Sequence, residues 1–235
     1  MREQESIKVL RKIFNSERWF GAFFDAVFYS EADSEIIIHT NAIDKLRTEL
    51  ANLDHKPLIS IGATYDPYQH FEKDYELTLK GLELIKEFNF PVVITTGQEL
   101  ILRDLDILES INAGKKAWVV FKMEHYDIAL LDAVRMVAER GIKTGIMAKS
   151  SFLFESDDEL IERFVNEAKE HNCSFIIPIY LLENSYIEDD YKREYAYNDT
   201  FYKACEKVDL NTKMPLYDED FMHTKQINLF DLSVK

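Results

Sequence analysis

Asp66, His70 and Glu72 fall in the stretch GATYDPYQHFEKDYELT, residues 62–78. Two carboxylates and an imidazole so close together are the donor types of a small oxygen and nitrogen metal site, or of acid–base chemistry without a metal. The same residues also fit a plain turn, in which Asp66 caps, Pro67 stops a strand and Glu72 favours a helix start. On either reading Thr64, Asp66, Tyr68, Gln69 and Glu72 lie just past the strand PLISIGA, and α/β folds collect function at the carboxyl ends of their strands. Arg103 and Asp104, adjacent in LILRDLDIL, suit an ion pair that locks a strand-to-helix turn.

Other catalytic patterns are absent. The six histidines, at 39, 55, 70, 125, 171 and 223, form no HExxH or comparable metal spacing. Neither a GxSxG elbow nor a GxGxxG fingerprint occurs, and seven glycines in the whole chain leave little room for a phosphate loop. No catalytic residue and no metal ligand is assigned, and no cofactor is expected.

The elements that must position these residues follow from composition and periodicity. A chain of 235 residues, 46% hydrophobic and 13% aromatic, supplies enough apolar surface for a sizeable core. Its net charge of −15 excludes general attraction to nucleic acid phosphate, so direct nucleic acid binding is not expected. Cys173 and Cys205 show no metal-type spacing and suit reduced thiols. The stretch MREQESIKVLRKIF has no apolar signal region, and no segment has the length of a membrane span; a cytoplasmic protein without a membrane partner is expected.

Residues 7–14 are expected to form a short helix, and AIDKLRTELANL carries Ile43, Leu46, Leu50 and Leu53 at helical spacing. Phe71, Tyr75, Leu79, Leu82 and Ile85 make one apolar stripe, expected as a single helix ending near Asn89. Strands are expected at PLISIGA, VVITT, AWVVFKM, KTGIMA and CSFIIPIYL, with helices near 104–112, 127–139 and 157–170 between them. Such alternation implies a parallel sheet, as an α/β barrel, a partial barrel or a doubly wound sheet. The acidic, tyrosine-rich stretch after Tyr180 is expected to pack a helix back on one domain of residues 1–210, with its core at about 15–180, and residues 211–235 to form a tail.

The run YDPYQHFEKDYELT, followed by FPVVITT and LILRDLDIL, resembles the radical S-adenosylmethionine proteins related to spore photoproduct lyase. A "TDPYQPxE…LT" segment follows one strand in that family, and a "TKSxLILRDLDLL" segment the next. The resemblance runs in weaker form through GIKTGIMAKSSFLF and SFIIP, and implies a partial (β/α) barrel of about six parallel strands. It also implies that Asp66, Tyr68, Gln69, Glu72, Arg103 and Asp104 are a retained family turn.

Three cysteines in the family hold an iron–sulfur cluster whose remaining iron takes the methionyl group of the cofactor. The matching stretch here is GAFFDAVFYS, where the three ligand positions fall on Ala22, Ala26 and Tyr29. The family's cofactor-contacting lysine aligns with Gly97, and a serine of the next strand with Val120. The resemblance therefore implies a degenerate member without cluster or radical chemistry. The alternative is an enzyme of altered chemistry that uses Asp66, His70 and Glu72, or the Tyr29 region.

The tail carries one further motif. Gln226, Ile227, Leu229 and Phe230 in QINLF resemble the pentapeptide with which bacterial replication and repair proteins bind the sliding clamp. The same side chains suit docking on the protein's own barrel or a contact between copies. A protein partner is expected in either case, the sliding clamp or a second copy.

Overall fold

Apolar runs bounded by Pro91 and Gly141, alternating with helical stripes, become strands and helices in turn. The computed structural model describes residues 1–6, 8–14, 19–24, 26–30, 35–63, 65–179 and 199–214. These divide into two compact units, one from Met1 to Trp118 and one beginning at Val119.

The first unit holds β1 (Arg2–Gln4), β2 (Leu10–Phe14), β3 (Trp19–Phe24), β4 (Val27–Ser30), β5 (Glu35–His39), α1 (Ala42–Ala51) and β6 (Leu58–Ile61). It continues with α2 (Glu72–Tyr75), α3 (Leu77–Glu87), β7 (Val92–Thr96), a 3-10 turn (Glu99–Asp104), α4 (Leu105–Asn112) and the start of β8 (Ala117–Met123). Its larger sheet runs in the order β2, β3, β6, β7, with β8 next. Pairing is antiparallel between β2 and β3, and parallel from β3 to β6 and from β6 to β7. A small second sheet has β5 between β1 and β4. All five residues of β7 are buried, as a β-branched run in a parallel sheet demands, and Leu82, Leu84 and Ile85 of α3 are buried with Leu46 and Leu50 of α1.

The second unit contains the rest of β8, α5 (Ile128–Glu139), β9 (Lys143–Lys149), α6 (Ser150–Glu155), α7 (Asp158–Glu170), β10 (Ile176–Ile179) and α8 (Asp199–Lys207). Here the order is β8, β9, β10, with β9 and β10 parallel. Two of these helices start at side-chain caps: Asp127 accepts from Ala129 N and Leu130 N at 3.0 and 3.2 Å, and Asp157 from Leu160 N at 2.8 Å. The outer edge of β10 is met by Asn211, whose carbonyl accepts from Ile176 N at 2.8 Å. The architecture is α/β with a helix between successive parallel strands, as in a partial (β/α) barrel. No helix among the described residues is long and apolar enough to cross a membrane.

Two expectations are corrected. Residues 10–14 are strand rather than helix: their backbone pairs with the adjacent strand β3, and the distant Glu49 carboxylate takes Val9 N and Leu10 N at 3.0 and 2.8 Å, so tertiary partners override local spacing. The stripe from Phe71 is two helices, because Glu76 adopts a left-handed conformation, φ 52°, between α2 and α3. Most of the tyrosine-rich stretch, residues 180–198, and the motif at Gln226, Ile227, Leu229 and Phe230 lie outside the described residues.

Candidate functional site: an ion network at the strand ends

The turn after β6 begins at Gly62, with φ +86°; a Cβ there would sit 2.0 Å from the carbonyl oxygen of Thr95, so only glycine fits. Asp66 follows and ties this turn to the end of β7. Its carboxylate accepts from Tyr68 N at 3.0 Å, Thr96 Oγ1 at 2.7 Å and Gly97 N at 2.6 Å. The position that the resemblance gives to a cofactor-contacting lysine is therefore a glycine whose N–H holds Asp66. Gln69 contributes its backbone carbonyl, which accepts from Glu72 N at 2.8 Å.

Glu72 points inward and is fully buried, with relative exposure 0%. Its two oxygens accept from Thr78 N, each at 3.0 Å, and Leu79 N donates at 3.3 Å, so the side chain that opens α2 also supplies the cap of α3. Arg103 Nη2 reaches Glu72 Oε1 at 2.8 Å, while Nε and Nη2 hold both oxygens of Asp104 at 2.7 and 2.9 Å. The Tyr68 hydroxyl donates to Asp104 Oδ2 at 3.0 Å. One guanidinium thus serves two buried carboxylates, and its planar fork suits the bidentate half of that task.

Hydrogen bonds to Asp104, then to Glu72, hold the Arg103 guanidinium above its ordinary range against the opposing effect of burial. Burial, then the Asp104 charge, pushes the Tyr68 phenol well above its ordinary value. Tyr68 is consequently a fixed proton donor at neutral pH. These groups hold one another, and their chemistry is that of a lock between two strand ends.

His70 is exposed and lies edge-on to Phe71 at 5.8 Å. Among the described residues no three His, Cys, Asp or Glu side chains are arranged to hold a metal ion, so Asp66, His70 and Glu72 do not converge as a ligand set. A cavity of about 20 Å³ lies beside the turn, lined by Phe24, Ala26, Ile61, Tyr65, Glu72 and Leu77, and is of the size that admits a single water.

The cluster positions of the resemblance fall in or beside strands. Ala22 is fully buried in β3, paired with Lys12 on one side and Ile59 on the other. The carbonyl of Ala26 accepts from His39 N at 2.9 Å, and Tyr29 stands in β4 opposite Ile36. Val120 is buried in β8. Cys173 and Cys205 both belong to the second unit, and burial pushes each thiol up to about 12. Sequence reasoning missed the binding of Glu72 to Thr78 and the hydroxyl bond of Tyr68; the signal for the first was the spacing of Glu72 before the LTLK helix start.

The fold is similar to that of solved structures of spore photoproduct lyase. The solved structure titled spore photoproduct lyase complexed with dinucleoside spore photoproduct matches with a TM-score of 0.57 at 13% identity, over 88% of this chain and 78% of that one. A cysteine-to-serine mutant of spore photoproduct lyase gives 0.53 at 14% over 80% and 72%. A mutant with bound AdoMet and dinucleoside spore photoproduct gives 0.51 at 14% over 90% and 66%. No protein-family model matches the chain, and no curated protein matches it.

Proposed function

We propose that this protein keeps a spore photoproduct lyase-like fold without radical chemistry and acts as a binding or regulatory protein, with a repair-related partner engaged through Gln226, Ile227, Leu229 and Phe230. The observation that carries the reading is the chemistry at the cluster positions. Alanine side chains at Ala22 and Ala26 offer no lone pair to iron, and both cysteines of the chain sit in the other unit as buried thiols held protonated. Among the described residues, the polar groups Asp66, Tyr68, Glu72, Arg103 and Asp104 at the strand ends are engaged with one another. The partner proposed is the sliding clamp, whose groove would take the glutamine and the two apolar side chains of the motif.

Anaerobic reconstitution with iron and sulfide, followed by iron determination, a visible spectrum and titration with S-adenosylmethionine, tests the first half. The expected result is no bound iron and no saturable cofactor binding; stoichiometric iron with cofactor affinity overturns it. Capture by immobilised purified sliding clamp tests the second half. Leu229→Ala/Phe230→Ala is expected to abolish capture without changing the melting temperature, and equal capture of that variant and the native chain sinks the motif's role.

A further inference from the structure

We draw no further inference here: the strongest candidate, the water-sized cavity at the carboxyl end of β6 lined by Tyr65, Glu72 and Leu77, belongs to the strand-end site already described, where both oxygens of Glu72 already accept from Thr78 N.

Discussion

Arg103 is the residue on which the strand-end lock depends, because it is the cation shared by two carboxylates that are 0% and 1% exposed, Glu72 and Asp104. Removing it leaves those charges buried without their partner, a more serious loss than deleting an exposed pair such as Arg47 with Glu87. Arg103→Met is expected to destabilise the protein by about 3 kcal/mol or more in urea unfolding, and Arg103→Met/Glu72→Gln to recover part of that loss. Tyr68→Phe, which deletes one hydrogen bond to Asp104, is expected to cost about 1–2 kcal/mol. If Arg103→Met unfolds at the native urea midpoint, the network is not a lock. The turn chemistry of Asp66 and the ion pair of Arg103 with Asp104 were both legible as local patterns. The bond from Arg103 to Glu72 was not, since it spans 31 residues of sequence and exists only once β6 and β7 are paired.

At the scale of elements, legibility follows the range of the interactions that form them. Strands β6 to β10 and helices α1, α4, α5 and α7 announce themselves through apolar runs, amphipathic stripes and local caps such as Asp127 and Asp157. The strands β1, β3, β4 and β5 went unread, and β2 was misread as helix: the partner of β1 and the Glu49 clamp on β2 lie far along the chain, and the connections NSER and EADS between the neighbouring pairs β2–β3 and β4–β5 contain no Asn-Gly or Asp-Gly signal. The break between α2 and α3 was missed for a related reason: a cap supplied by a carboxylate six residues before Thr78 leaves no mark in the apolar stripe. Packing between elements sets the limits of substitution in the same way. A Cβ on Gly145 of β9 would lie 2.1 Å from Cζ of Phe175, and the ring is fully buried just before β10. Gly145→Ala is expected to cost about 1–3 kcal/mol through overpacking, and Gly145→Ala/Phe175→Leu to be more stable than the sum of its single variants predicts, as measured by a double-mutant urea cycle. Additive effects would mean that the β9–β10 pair absorbs the added methyl elsewhere.

The whole molecule carries 43 acidic against 28 basic residues, so raising the pH adds negative charge to a chain already at −15 and strengthens self-repulsion. Its buried acids make this dependence specific. Burial pushes the thiols of Cys173 and Cys205 from 9.0 up to about 12, and raises Tyr68 well above 10.0. A group raised by folding keeps its proton in the native state after the unfolded chain has lost it. Its contribution to stability is complete below the unfolded value and is lost as pH rises toward the folded one, because the unfolded state then binds fewer protons. The thiols therefore act from about pH 9 to 12, and Tyr68 only above 10. Urea midpoints are accordingly expected to fall steadily above pH 9, with Cys173 alone contributing a slope approaching about 1.4 kcal/mol per pH unit. Cys173→Ala/Cys205→Ala is expected to flatten the decline between pH 9 and 10, whatever it does to absolute stability, since lysine and tyrosine titrate mainly above that range. An identical slope for native chain and variant would place the alkaline sensitivity in general charge repulsion instead. The expected flattening would make the second unit, where both thiols lie, the part of the molecule that alkaline conditions open first.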